Sequence, residues 1–529
     1  MQREPRNPGP DGSEFGVGAG AAGGAHGSGA ADAGGGGEPP GTAGPGSASD
    51  SFGPRERLAI WLLLGSCFIA VVNETVMGVA TAPLMREFAI SAAQAQWLTT
   101  AFMLTMSIII PMTGLVIQRF STRTLFIVST AVFTLGTLIA AAAPGFSVLL
   151  LGRVVQAAGT AVLSPLVMTT VATVAPPGQR GRLLGQVSVV FASAPAFGPV
   201  LAGFVLQWLS WRWLFFIMLP IAVVVLVVGG RLMPSVGVRR HARIDVFSIA
   251  LAGFAFGGIV YGLSAVGSLA AGAPTLSPWV PLAVGVVGLL AFGWRQRVLQ
   301  RADRALLDLR VFAQSTFARS TVVFVASSIS LFGVLFLLPL YAQNVLGFSP
   351  LVTGLIVLPG SIVSAALAPL VGRIVDARGG RRVLIAGTAV TALSLWSMLL
   401  FGEHTPLAQL FATNLLMNIG LAGVFTPIYA MALGSLPPRL ASHGSATLNT
   451  VQQLAAAAGT ALLVTLMTVF SVRHGGLGLA ESAESMVVGL RVAFFTSATI
   501  ATVGVGFALA VRDRPGVFPE RQRDDTDET

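Results

Sequence analysis

Two ionisable residues stand well inside long apolar stretches of this sequence, Glu74 and Arg153, whereas Asp245, Asp376 and Glu403 fall only at the ends of such stretches. Holding a charge in hydrocarbon costs a few kcal/mol or more, so a retained one points to function. A carboxylate in low dielectric favours its neutral form and a neighbouring guanidinium favours the charged form. Movement of one group relative to the other therefore changes the affinity for a proton. On this ground Glu74 and Arg153 are read as a proton-coupling pair. The competing reading is a static ion pair that fixes helix packing, and it weighs more for Arg153, which cannot itself carry the proton.

Uncharged polar residues recur at helical spacing near this pair and elsewhere. Arg153, Gln156, Thr160 and Ser164 follow one another at intervals of three and four, forming one stripe that should face the interior. Asn414, Asn418, Phe425 and Tyr429 form a second stripe, and Asn449, Gln452, Gln453 and Thr460 a third. Such stripes suit a cavity for a mostly apolar solute with a few polar groups. They equally suit interhelical hydrogen bonding that glues a bundle together. Ala194, Pro195, Gly198, Pro199, Ala202 and Gly203 add a stretch of small residues and prolines that allows close approach and bending, a candidate hinge or seal.

The elements that must position these residues follow from composition. Of 529 residues, 54% are hydrophobic and only 10% charged, against about 25% charged in soluble proteins. A water-soluble globule is thereby excluded. All 32 basic residues are Arg, ten more than the acidic residues. They fall in short clusters between apolar runs, which speaks against nucleic-acid binding and for cytoplasmic loops of a membrane protein. With one cysteine, Cys67, and five scattered histidines, no disulfide within the chain and no metal or other cofactor is expected.

Fourteen stretches can cross a core of about 30 Å: 58–80, 95–116, 124–143, 147–171, 183–207, 213–231, 245–264, 278–294, 317–341, 351–372, 383–402, 406–434, 447–470 and 488–511. The even number puts both termini on one side. With that side cytoplasmic, 27 arginines lie in tails and inner loops, and four (Arg86, Arg212, Arg473, Arg491) outside. Glu74 then lies ~24 Å along the outward first span and Arg153 ~9 Å below the outer end of the fourth, so both fall in the outer half. The connection Gly114 to Arg123 recurs as Gly372 to Arg381, with Gln118 opposite Asp376 and Arg123 opposite Arg381. This repeat implies two six-helix halves. The expected organisation is a disordered tail at 1–53, a first half at 54–231, a linker with two inserted helices at 232–310, a second half at 311–512, and a charged tail at 513–529. Duplicated halves are a transporter architecture with a site near mid-membrane.

These residues together resemble the major facilitator superfamily, in particular its fourteen-span drug:proton antiporters. Gly114 to Leu125 and Gly372 to Leu384 are similar to the superfamily's signature loop; Gly152-Arg153 through Gln156 to Gly159 resembles its span-four motif; and Gly198, Pro199 and Gly203 resemble its antiporter motif. Trp211-Arg212-Trp213 to Pro220, Leu338-Pro339-Leu340-Tyr341-Ala342-Gln343 with Gly347, and Gly354 to Pro359 extend the likeness, which covers about 55–512. Asn73-Glu74-Thr75 looks most like the lincomycin-resistance branch.

The resemblance implies an all-α fold in the cytoplasmic membrane and an exporter of amphipathic drugs or antibiotics in exchange for protons, acting as a monomer and not as an enzyme. It implies proton transfer at Glu74 and Arg153. Substrate contacts are expected at Asn73, Gln156, Thr160, Asn414, Asn418, Phe425, Tyr429, Asn449 and Gln452. Conformational gating is expected at Gly114, Gln118, Arg119, Arg123, Gly198, Pro199, Gly203, Gly372, Asp376, Arg381 and Arg382, with the arginines making contacts that differ between states. The first-half loop carries Gln118 where relatives have an aspartate that, by the resemblance, pairs with charge on a neighbouring helix and helps lock one state, whereas Asp376 keeps the matching position in the second half. A proton-driven importer and a non-transporting membrane sensor stand as alternatives.

Overall fold

The computed structural model describes residues 54–174, 183, 194, 197–233, 245–270, 277–301, 305–474 and 483–511. Both expected tails and the loop stretch around Arg239 lie outside these residues. The helices, in chain order, are α1 (Pro54–Phe88), a short α2 (Ala92–Ala95), α3 (Trp97–Arg119), α4 (Thr122–Ala141), α5 (Phe146–Val174), α6 (Phe197–Trp208), α7 (Arg212–Leu232), α8 (Val246–Ala270) and α9 (Trp279–Gln300). After a 3₁₀ turn, Leu309–Ala313, come α10 (Ser315–Asn344), α11 (Pro350–Arg378), α12 (Arg381–Ser397), α13 (Leu407–Gly434), α14 (Pro438–Arg473) and α15 (Ala483–Ala510). Thirteen of the fourteen expected spans are helices long and apolar enough to cross a membrane. The remaining one, expected at 183–207, is described as α6 from Phe197 onward.

The long helices alternate in direction, which collects Arg119, Arg123, Arg231, Arg319, Arg381 and Arg439 at one end of the bundle, here called the basic end. Helix pairing repeats along the chain. α4 packs on α5, α3 on α5 and α4 on α7, and correspondingly α12 on α13, α11 on α13 and α12 on α15. Small residues allow the closest of these approaches. A side chain on Gly159 would run into the Phe133 backbone at 2.7 Å, and one on Gly387 into the Gly423 carbonyl at 2.7 Å. The two connections that repeat in sequence also do the same work. Arg123 Nη2 donates to Gly230 O (2.7 Å) at the end of α7, while Arg381 donates to Val511 O (2.8 Å) and Leu509 O (3.0 Å) at the end of α15. Each cation thus satisfies carbonyls that a helix C-terminus leaves open and sits at the negative end of its dipole.

The cores at the two ends differ. At the basic end one cluster draws only on α1, α3, α4, α5, α7 and their flanking residues, and a second only on α10, α12 to α15 and theirs. At the opposite end one cluster built on α10 to α15 continues across the seam onto Ala82, Met85 and Ala92, beside another that stays within the first helix group. The first and second helix groups are therefore fused through apolar packing at the end away from the arginines.

The inserted helices are not both peripheral. α9 exposes Val280, Val287, Leu290 and Trp294, as a lipid-facing helix should, but α8 lies against both α3 and α14. Val260 is buried among Met103, Ala456, Ala457 and Ala461; Gln96 Nε2 donates to Ser264 Oγ (2.7 Å); Thr465 Oγ1 donates to Leu263 O (2.9 Å). α8 thus covers the seam between the two helix groups along one side. The sequence offers no sign of this, because an apolar face packed on protein and one packed on lipid have the same composition.

At the basic end the α8–α9 pair is clasped by Asp245, whose oxygens accept from Arg295 at 2.8 and 2.9 Å. Those bonds hold the Asp245 carboxyl below the usual carboxylate range, outweighing its partial burial. The clasp is therefore complete at neutral pH and weakens only as pH falls through that depressed value. Along the helices, Gly285 lies so close to α8 that a side chain would meet Gly258 C at 2.8 Å, whereas Gly293 faces open space. Gly285→Leu is expected to destabilise the protein by roughly 1–3 kcal/mol. Gly293→Leu is expected to be near neutral, and thermal unfolding in detergent compares the two.

Candidate functional site

α1 is interrupted by Pro83 and carries Asn73, Glu74 and Thr75 on its buried middle turns. Glu74 is nine-tenths buried, in a cleft also lined by Thr75, Gly78, Thr99, Met103, Phe332, Leu335 and Phe336. Three of these residues belong to α10, and Gln453 of α14 approaches the carboxyl as well. Glu74 therefore sits on the seam between the first and second helix groups. Its cleft is about 10 Å³, room for about one water.

Arg153 is wholly buried and close enough to Glu74 for the two charges to interact. Its hydrogen bonds nevertheless go elsewhere. Nη1 donates to Asn73 O (3.1 Å), Asn73 Oδ1 (3.1 Å) and Gln156 Oε1 (3.2 Å), Nε donates to Leu98 O (3.2 Å), and the guanidinium lies 4.2 Å from the Phe102 ring centroid. Gln156 in turn donates to Thr137 Oγ1 at 2.9 Å. One side chain from α5 thus ties together α1, α3 and, through Gln156, α4. The ion pairs present among the described residues are Arg212–Glu87, Arg295–Asp245 and Arg310–Asp308. In this state Arg153 grips the residue before Glu74, not the carboxylate.

Four buried polar atoms around Glu74 have no hydrogen-bond partner among the described residues: Asn73 Nδ2, Thr99 Oγ1, Arg153 Nη2 and Gln453 Oε1. An orphaned buried polar atom costs about 1–3 kcal/mol, so a cluster of them beside an ionisable group marks a place built for more than packing. These atoms can serve a protonated carboxyl, a water or a polar group of a solute.

The other expected site residues are spread more widely. Thr160 bonds its own helix at Gln156 O. Asn414 and Asn418 bond each other (3.1 Å) against Gly360 of α11. Phe425 and Tyr429 each meet Phe324 edge-on with centroids 5.4 Å apart, and Tyr429 bonds Asn449 (3.3 Å). Gln452 is partly exposed on α14. Only Asn73, Gln156 and Arg153 gather close to Glu74. Among the gating residues, Gly198 packs on α1 at Thr75 and Val72, Pro199 meets Gly354, and Gly203 meets Pro350 and Leu351. α6 is thereby wedged between Glu74's helix and α11. Arg123 and Arg381 bond within their own helix groups in this state. Arg119 and Arg382 are exposed, as is Gly114, and Gly372 is half-buried with open space beside it. The side chains of Gln118 and Asp376 lie outside the described residues.

Sequence reasoning did not assign Thr137, Phe102 or Gln453 to the site. Thr137 continues a Thr130, Thr134, Thr137 row on its span that could have pointed to it, whereas Phe102 acquires a role only from what packs on it. Gln453 was visible in a stripe, but its proximity to Glu74 spans 379 residues of chain. A larger cavity of about 350 Å³ lies at the basic end beside Gln300, Asp308, Arg310, Arg439 and His443. Burial pushes the Asp308 carboxyl up, but hydrogen bonds from Arg310 more than offset this and leave it below the usual range. That cavity lies away from the seam and from Glu74.

The chain matches the family model of the Major Facilitator Superfamily over residues 62–460. It is 38% identical over 458 residues to the uncharacterized MFS-type transporter YcnB of Bacillus subtilis, covering 86% of this chain and 95% of that one. It is 35% identical over 463 residues to the lincomycin resistance protein LmrB of Listeria monocytogenes, covering 87% and 97%. Among solved structures, a bacterial homologue of the human lysosomal transporter Spinster, inward-facing and unoccupied, aligns with a TM-score of 0.64 at 14% identity over 89% of this chain and 100% of that one.

If Arg153 is the tie among α1, α3 and α5, removing it leaves the acceptors on Asn73, Leu98 and Gln156 buried without donors. Arg153→Leu is expected to cost roughly 3 kcal/mol or more. Arg153→Lys should lose less, because it keeps the charge but not the reach to both Leu98 and Asn73. Thermal unfolding of the purified variants measures both.

Proposed function

Since the chain belongs to the Major Facilitator Superfamily, we propose that it exports amphipathic drugs or antibiotics across the cytoplasmic membrane in exchange for protons, by alternating access between its two helix groups. The carrying observation is Glu74, a buried carboxyl on the seam between those groups, touched by α10 and α14 and within reach of the Arg153 charge. A proton taken up there changes the charge of the surface along which the groups must separate. Binding of the proton and movement of the seam are therefore linked, and linkage acts in both directions.

Two further observations support the reading. The most basic end of the bundle is read as the cytoplasmic side by charge asymmetry, and both chain ends are read as cytoplasmic with it. The two groups share an apolar cluster at the other end, which this reading takes as closure toward the exterior. The substrate class follows the relatives, among them lincomycin resistance proteins of Listeria and a multidrug resistance protein B homologue of Mycobacterium tuberculosis that is 29% identical over 434 residues. The apolar residues beside Glu74, Met103, Phe332 and Phe336, suit a greasy solute. One small molecule and protons complete the cycle, with no cofactor in the scheme and a monomer as the working unit.

Inside-out vesicles carrying the protein should accumulate a cationic dye or a lincosamide when an outward-directed proton gradient, with the lumen acidic, is imposed. Glu74→Gln keeps the size and hydrogen-bonding capacity of the side chain but cannot release a proton. It should abolish gradient-driven accumulation while dye binding and thermal stability persist. Gradient-dependent accumulation at the parent rate in that variant would remove Glu74 from the coupling step.

A further inference from the structure

α1 and α10 cross the seam beside Glu74, and each contains one proline in its second half, Pro83 and Pro339. Proline has no N–H, so the carbonyl four residues earlier loses its helical donor. The two carbonyls are Val79 O on α1 and Leu335 O on α10. Both face the other helix. Gln343 Nε2 on α10 donates to Val79 O at 3.0 Å, and both residues are buried, Gln343 to 4% exposure. Leu335 O lies against Gly78, where a side chain would come within 3.0 Å of it. Gly78 is thus required for the helices to approach this closely, and its Cα–H is left facing the second freed carbonyl.

We infer that Gln343 is the latch of the exterior gate: it closes the seam by supplying, from the opposite helix group, the hydrogen bond that Pro83 removes from α1. A backbone carbonyl without a donor is costly away from water. Closing the gate satisfies it with a protein donor, and opening the gate satisfies it with water. Val79 therefore has two acceptable partners, and the seam two acceptable states. Arg86 Nη2 and Asn344 Oδ1 also meet across the seam, at 3.4 Å, but that contact is exposed and long, so the buried bond carries the discrimination. Val79 lies little more than one turn beyond Glu74 on the same helix, and Leu335 and Phe336 line the Glu74 cleft. When the latch parts, the carboxyl gains a path to the exterior. Gln343 is thus a positioning residue that decides to which side Glu74 exchanges its proton, and in this respect the inference rests on the export reading.

The test is labelling from outside. In a Cys67→Ser background, Met103→Cys places a thiol in the Glu74 cleft, and right-side-out vesicles are treated with a membrane-impermeant maleimide. Gln343→Leu should raise the labelling rate about fivefold, the shift that one net hydrogen bond is worth. Pro83→Ala returns an N–H to Val79 and makes Gln343 redundant as its donor. It should raise labelling to a similar extent, and adding Gln343→Leu to it should change little. A purely structural role for Gln343 would instead lower thermal stability and give additive effects in the double variant. Unchanged labelling in Gln343→Leu, or additive rates in the double variant, overturns the latch. The readout needs no transport: failure of the parent protein to accumulate dye in inside-out vesicles counts against the export reading, while a labelling difference in right-side-out vesicles still establishes the latch.

Discussion

A polar group in the membrane interior must find its partner within the protein, because the surrounding lipid offers none. The architecture around Glu74 is organised by that constraint. Arg153 could not be buried completely without several acceptors, and the acceptors nearest to hand are backbone and side-chain oxygens on α1, α3 and α5. Meeting that demand fixes the rotation of α1, and with it the direction in which Glu74 points. The Phe102 ring, 4.2 Å from the guanidinium, covers a face that no hydrogen bond reaches. Gln156 carries the arrangement on to Thr137 and α4. The carboxyl is then left facing the seam.

The same constraint shapes the seam itself. Prolines in α1 and α10 each release a carbonyl, and both carbonyls are used across the interface. Close approach elsewhere along this closed end comes from small residues: Gly203 against Pro350, and Gly354 against Pro199 O. Contacts of this kind are short and numerous but carry no charge, so they can part and re-form without stranding an ion in lipid. At the basic end each helix group keeps its own core, and its repeated arginines cap helices inside that group. Strong polar interactions thus hold each group rigid, and weak ones join the two groups. α8, which follows the seam along α3 and α14, keeps one flank of that joint shielded by protein.

Much of this was legible beforehand because it follows from local pattern. Span positions come from runs of apolar residues, and the internal repeat from the matched connections at Gly114 and Gly372. The isolation of Glu74 and Arg153 in hydrocarbon marked the candidate site. What sequence could not supply was pairing. Arg153 stands near Glu74 but holds Asn73, one residue away; of the two readings the polar stripes allowed, Asn414 with Asn418 and Tyr429 with Asn449 follow mutual hydrogen bonding within the second helix group in this state. The periodicity of a stripe says that it avoids lipid, not which neighbour it meets.

The sequence by itself determined which segments must be helical and buried in a bilayer, since hydrophobic length and charge placement are properties of the chain alone. It also determined that one carboxyl and one guanidinium would have to be accommodated there. Only the tertiary structure decided which oxygens receive the guanidinium, which helix covers the seam, and that the carbonyl freed by Pro83 is met by Gln343 across 264 residues of chain. The reason is physical: a missing hydrogen bond is written in the sequence as a proline, but its replacement depends on a donor brought within about 3 Å by packing, and many donors in the chain have the right chemistry.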